Sequence, residues 1–364
     1  MLWFHRRNAT TSLTAGLLAI GLAMSPAIAG AAENGIPRTA SGRPDLSGTY
    51  DAATLTPLTR PAELGDNLYL TKEEANKLVE EERLRVEKAA QSSDGNREAP
   101  PPGGDGSPGP AGNVGGYNDF WIDRGTEAFT VDGKFRTSIL IDPKNGQFPQ
   151  MTPGGQKIMA QLFSFFARPN DGTAWWLDKE GPGPYDNMEQ RHSAERCLLG
   201  FSGAAPPIPS FYNNFKRIVQ TDDHVMILIE MVHDARIVRM NSEHPGSEIQ
   251  KWLGDSIGWW DGDTLVVDTT NFNPKGAGYL GGSAQTHVVE RFSWLEGGNV
   301  LYNFTVEDQS MWTAPWTGEY IWRASDEKVY EYACHEGNYA LGNIMRGARI
   351  LEQDALEAKQ KASH

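Results

Sequence analysis

The stretch Thr286-His287-Val288-Val289-Glu290-Arg291-Phe292-Ser293-Trp294-Leu295-Glu296-Gly297-Gly298-Asn299-Val300-Leu301-Tyr302-Asn303-Phe304-Thr305-Val306 decides the fold class. Two β-rich runs flank Glu-Gly-Gly-Asn, which reverses the chain because glycine takes positive φ at no steric cost. In the second run Val300, Tyr302, Phe304 and Val306 share one face by the two-residue period of a strand. Leu301, Asn303 and Thr305 share the other. The pattern predicts an antiparallel hairpin with one strongly apolar face.

The same signature recurs outward from this point. Trp259-Trp260-Asp261-Gly262-Asp263-Thr264-Leu265-Val266-Val267 places Asp-Gly between two β-rich runs, a hairpin signal. Residues 212–220, 225–231 and 235–240 follow one another as strands across short polar turns. The run 225–229 is apolar at every position, which predicts a central strand covered on both sides. Residues 136–142 read as a strand ending in Asp142-Pro143-Lys144-Asn145-Gly146, and 320–323 with 328–333 as a last pair. Tight turns cannot join parallel neighbours. The expected fold is therefore mainly β: an antiparallel meander curled into a lipocalin-like barrel or folded as a sandwich, with a few short peripheral helices. The barrel is preferred, because strands rich in Trp, Tyr, His and Arg on both faces require a partly polar interior.

Helices are expected at three places. Thr71-Lys72-Glu73-Glu74 is a capping-box pattern starting a surface helix that runs to about 91. Thr152-Pro153 starts a short helix turning Ile158, Met159, Leu162, Phe165 and Phe166 inward and ending near Arg168-Pro169. Residues 351–361 form a C-terminal one. Between 92 and 116, 13 of 25 residues are Pro or Gly, the composition of a loose loop.

His5, Arg6 and Arg7, the apolar run 13–24 and Ala27-Ile28-Ala29 form a cleavable export signal, with a cut expected after Ala29 and a periplasmic or secreted destination. The domain plan is then a signal peptide at 1–29, an N-terminal segment at 30–116, a β-barrel-like domain at 117–345 and a C-terminal helix at 346–364. Cleavage takes the formal charge from −14 to −16, because Arg6 and Arg7 leave with the signal. That acidity argues against nucleic acid and anionic membrane surfaces as partners, and the apolar run is too short for a stable membrane anchor. The chain has only two cysteines, Cys197 and Cys334, and in an oxidising compartment they are expected to pair. The alternative is a nucleophilic thiol at Cys197.

The densest polar stretch is Gly181-Pro182-Gly183-Pro184-Tyr185-Asp186-Asn187-Met188-Glu189-Gln190-Arg191-His192-Ser193-Ala194-Glu195-Arg196-Cys197-Leu198-Leu199-Gly200. It reads either as a site or as an ion-paired corner bracing the fold. Gly183 to Arg191, with Glu195-Arg196-Cys197-Leu198-Leu199, resembles the core of a secreted bacterial family of uncharacterised reaction. Further matching pieces are 117–121, 226–236, 260–272, 287–292 and 332–338, so the likeness spans about 46–338. Some members are associated with sphingomonad breakdown of lignin-derived aromatic dimers, which implies cofactor-free lyase chemistry on a small aromatic molecule.

The residues themselves allow that chemistry. There is no His-Glu-x-x-His or P-loop pattern, and neither metal nor cofactor is expected. His233, His287 and His335 each neighbour a carboxylate or guanidinium, and histidine titrates nearest neutrality. The catalytic candidates are His233 or His287 as base, Arg191 stabilising negative charge and Tyr185 relaying a proton. Asn187, Glu189, Arg196, Asn118, Trp121, Arg236, Trp260, Glu290 and His335 are candidate substrate contacts. Against these stand plainer readings: hydrogen-bonded strand histidines, and pairing of Arg191 and Arg196 with Glu189 and Glu195. A carrier of an apolar or aromatic ligand is the alternative function.

Overall fold

The computed structural model describes residues 30–33, 35–90, 96, 122–162, 172–200, 205–276 and 282–363, with backbone alone for 30–33 and 89. The expected signal peptide, nearly all of the Pro/Gly-rich loop, and Phe165, Phe166, Asn118 and Trp121 lie outside these residues. In chain order the strands are β1 Gly30–Glu33, β2 Ile36–Arg38, β3 Gly48–Asp51, β4 Tyr69–Leu70, β5 Thr130–Val131, β6 Lys134–Arg136 and β7 Leu140–Asp142. There follow β8 Phe215–Gln220, β9 His224–Ile229, β10 Asp234–Met240, β11 Asp255–Asp261, β12 Thr264–Thr270, β13 His287–Trp294, β14 Val300–Glu307 and β15 Trp316–Ser325. The helices are α1 Lys72–Ala89, α2 Pro153–Leu162, α3 Cys334–Gly337 and α4 Tyr339–Ala362.

Nine strands close a mixed barrel in the order β14-β13-β12-β11-β10-β9-β8-β3-β15, with β15 pairing back to β14. Closure rests on β15, whose one edge carries Val306↔Trp316 to Val300↔Trp322. Its other edge carries Arg323↔Asp51 to Ser325↔Thr49, with β7 alongside the earlier residues. A closed ring has no free edge to template aggregation.

The two decisive hairpins are present, β13–β14 and β11–β12, the latter turning at Gly262 with φ 60°. The predicted face Val300, Tyr302, Phe304 and Val306 points inward and is buried. There the rings of Tyr302, Phe292, Phe304, Tyr320 and Trp322 pack on one another, the Phe292 and Tyr302 centroids lying 5.0 Å apart. Each such side chain contributes about 1.5–3 kcal/mol by leaving water. Gly318 sits opposite Phe304, where an added Cβ would collide with that ring.

Several expectations need correction. The sheet is not wholly antiparallel: β10 and β11 run parallel, because residues 241–254 return the chain along the barrel wall. Residues 225–229 are not covered on both sides. Val225, Ile227 and Ile229 face the core while Met226 and Leu228 are half-buried outward. Residues 328–333 form no strand, and β15 alone runs from 316 to 325. The run 136–142 is split between β6 and β7. The barrel also takes β3 from the segment that the domain plan set apart at 30–116, and α4 starts at Tyr339 rather than 351.

The caps follow the sequence. Thr71 Oγ1 accepts from Glu74 N at 3.2 Å, and Glu74 Oε2 accepts from Thr71 N at 2.7 Å. Thr152 Oγ1 accepts from Gly155 N at 3.0 Å ahead of Pro153. Among the described residues no helix is long and apolar enough to cross a membrane.

Cys197 and Cys334 are bonded, joining residues 137 apart in the chain. Their bond ties the polar stretch 181–200 to α3, which leads into α4. Replacing both cysteines by serine is expected to lower stability by about 4–5 kcal/mol, the loop-closure entropy for a bridge of this span. Urea unfolding of the two forms, with thiol titration of the denatured, unreduced wild type expected to find none, checks both the bond and its weight.

Candidate functional site

One end of the barrel gathers three buried titratable groups, Lys216, Glu230 and Asp234. In β8, Lys216 shares its parity with Ile218 and therefore points inward, and it is fully buried. Its Nζ has no hydrogen-bond partner among the described residues. Burial lowers its pKa to about 8, against the opposing pull of Glu230, Asp51 and Asp234. An ammonium without paired charge is poorly tolerated out of water, so burial shifts the balance toward the neutral amine.

Glu230 and Asp234 bracket the β9–β10 turn facing this lysine. Val232 and His233 both adopt positive φ, 57° and 47°, a conformation suited to a tight hairpin but strained for a β-branched residue. The strain is held by burial of Met231 and Val232 against Ile229, Tyr212 and Tyr332. Glu230 is 6% exposed and accepts weakly from Phe215 N at 3.4 Å, and burial raises its pKa. Asp234 is 7% exposed, and burial raises its pKa to about 6 although Gly200 N donates to Oδ2 at 2.9 Å. Glu230 lines a concavity of about 480 Å³ with Asp123, Tyr212, Asn213, Asn214, Phe215 and Tyr332. It also lines a neighbouring one of about 690 Å³ that includes His233, Arg217 and the segment 325–331.

The residues expected from sequence fall into four groups. His233 is exposed at the rim of this end, and His335 is exposed on α3. Tyr185, Asn187, Glu189, Arg191 and Arg196 form a separate ion-paired corner. Arg191 donates to both Glu195 oxygens at 2.8 and 3.0 Å and lies 5.0 Å over the Tyr185 ring. Arg196 donates to Glu189 at 2.6 Å, and Asn187 Oδ1 accepts from Glu189 N at 2.7 Å. Tyr185 packs on Trp176, which α4 holds through Glu352 at 2.6 Å. The plainer reading of the two arginines is the one the geometry bears out. The corner nonetheless meets the barrel end through Gly200, whose N–H reaches Asp234.

Arg236 and Glu290 form the third group, inside the barrel. Arg236 Nη2 donates to Glu290 Oε1 at 2.7 Å, Tyr302 Oη donates to the same oxygen at 2.8 Å, and Arg236 Nη1 donates to Thr269 at 3.0 Å. Both side chains are buried and paired, which offsets the cost of taking them out of water. Trp260 faces the same interior and is partly buried against the core. The fourth group lies on the outer wall. His287 Nε2 meets Asp268 at 2.8 Å, Asp268 meets His244 Nε2 at 2.9 Å, and His244 Nδ1 meets Asp255 at 2.9 Å. The hydrogen bond to Asp268 raises the His287 pKa. His287 and Glu290 therefore lie on opposite faces of β13 and cannot share a site.

Sequence reasoning missed Lys216, Glu230 and Asp234. The available signal was parity: Lys216 falls on the apolar side of its strand, as Asp234 does with Arg236 and Val238. Among the described residues, no group of three or more His, Cys, Asp or Glu is placed to hold a metal ion. Comparison with protein-family models and with curated proteins finds no match for this chain.

Two titrations test these environments. Raising the Asp234 pKa above its ordinary value of 3.8 makes the folded state the better proton binder, so its stability falls as pH rises from about 4 through about 6. Asp234→Asn should therefore be more stable than wild type by about 1–3 kcal/mol at pH 8 and equal to it near pH 3, by urea unfolding. Asp268→Asn should bring the NMR titration of His287 down toward the ordinary histidine value of 6.5, and an unmoved midpoint would refute the assigned cause.

Proposed function

We propose that this chain is an exported, cofactor-independent enzyme that cleaves a bond in a small aromatic molecule by acid–base chemistry. The reaction is of lyase type, and the likeness of residues 183–199 to a secreted family suggests a lignin-derived dimer as substrate. The observation that carries this reading is the placing of Glu230 and Asp234 at the two ends of one strained turn, both with raised pKa, where Glu230 lines a concavity together with Tyr212 and Tyr332. A carboxyl that titrates near neutrality can both take and return a proton during turnover. His233, at the rim between them in sequence, is the natural carrier of that proton to solvent. Tyr212 and Tyr332 give that concavity an aromatic lining suited to a flat substrate. Arg191, Arg196 and Tyr185 then act by holding the corner that delivers the Gly200 N–H to Asp234.

A carrier of aromatic ligands is the second reading, favoured by the number of rings in the barrel interior. Those rings pack on one another at 5.0 to 6.5 Å between centroids, so in that region they fill the space themselves.

Incubating the purified protein with a panel of aromatic dimers and identifying products by mass distinguishes the two. Turnover is expected, with Glu230→Gln and Asp234→Asn each lowering it at least about 100-fold while the fold is retained. Tryptophan quenching without product would establish the carrier. Full turnover in both variants would remove the acid–base assignment.

A further inference from the structure

We infer that Lys216 is an amine nucleophile that captures a carbonyl group of the substrate as an imine. The inference rests on the acid–base reading above and narrows its substrates to aromatic compounds bearing an aldehyde or ketone.

Three observations converge. First, Nζ is buried inside the barrel with no acceptor among the described residues, an arrangement that wastes an ammonium's three donors but suits a free amine. The contrast lies in the same barrel: Arg236 is equally buried yet bound to Glu290 and Thr269. Second, the amine titrates near neutrality, lowered by burial to about 8, so a substantial fraction is unprotonated at pH 7–8. The charged groups around it are Glu230, Asp51 and Asp234, in that order of influence. None forms an ion pair with it among the described residues, so none locks it as an ammonium. Third, a concavity opens at this end of the barrel. Phe215, the preceding residue, and Glu230, the most influential carboxyl, both line the 480 Å³ concavity.

The chemistry balances with these groups and water. The unprotonated amine adds to the carbonyl carbon. The carbonyl oxygen leaves as water, taking one proton from the nitrogen and one from a protonated carboxyl, and the nitrogen keeps its second proton as the iminium beside the resulting carboxylate. In a β-hydroxy carbonyl substrate, a carboxylate of the Glu230–Asp234 pair accepts the hydroxyl proton. The bond between the α and β carbons then breaks, its electron pair passes through the α carbon to the iminium nitrogen, and an aldehyde departs. The resulting enamine is protonated at the α carbon by the same carboxyl. Addition of water to the iminium releases the shortened carbonyl product and restores the amine. The iminium is the electron sink that a lyase without a cofactor needs.

The test uses the full chain with 4-hydroxybenzaldehyde as probe and sodium cyanoborohydride, which reduces an imine to a stable secondary amine. Peptide mapping by mass should find Lys216 labelled at least about tenfold more than any exposed lysine. Labelling confined to exposed lysines in the folded wild type would overturn the inference, whether or not any variant folds. Lys216→Arg keeps a cation but cannot form an imine, and Lys216→Met keeps the methylene packing. Both should abolish cleavage of a two-ring β-hydroxy ketone. If Lys216→Arg still forms product from the dimer panel, carbonyl capture falls while the acid–base reading stands. If the wild type neither labels at Lys216 nor turns over any dimer, both fall.

Discussion

Charge removed from water inside a closed sheet must be paired or given up, and that constraint organises this molecule. The barrel encloses two sets of ionisable groups that meet it in opposite ways. Arg236 and Glu290 meet it by forked hydrogen bonding, supplemented by Tyr302 and Thr269. Lys216, Glu230 and Asp234 meet it by shifting toward neutral forms. The first solution is a brace across the interior. The second leaves groups able to exchange protons, the usual mark of chemistry rather than of stability.

Geometry at the β9–β10 turn makes the second set possible. Val232 and His233 take a left-handed backbone at some cost in strain, and the cost is sustained by the apolar contacts beneath. The turn sets Glu230 and Asp234 on either side of it, close to the barrel interior rather than splayed into solvent. The bonded cysteines, the corner at 181–200 and α4 act at a distance to the same end. They fix Gly200 against Asp234 and hold Tyr332 beside the concavity. The charged residues of the corner pair with one another, Arg191 with Glu195 and Arg196 with Glu189.

The outer-wall chain from His287 through Asp268 and His244 to Asp255 is a different kind of network. Its members alternate imidazole and carboxylate, and Lys251 and Arg239 neutralise its far end. It joins β10, β11, β12 and β13 with the long connection between β10 and β11. That connection carries His244, and the chain of bonds fastens it to the wall where β10 and β11 run parallel.

Local pattern alone determined the β class, the two decisive hairpins, the inward face of β14, the capped start of α1 and the pairing of Cys197 with Cys334. Each follows from short-range physics: side-chain alternation, turn chemistry, a capping box, and the scarcity of thiols in the chain. Tertiary structure alone decided the parallel β10–β11 step, the recruitment of β3 to close the ring, and which polar residues share a space. His287 and Glu290 are three apart on one strand yet face opposite ways, whereas Lys216 and Asp234 are distant in sequence and lie at one barrel end. Strand order and closure bring such residues together through long-range pairing, and desolvation, which sets their protonation, exists only once the barrel has closed around them.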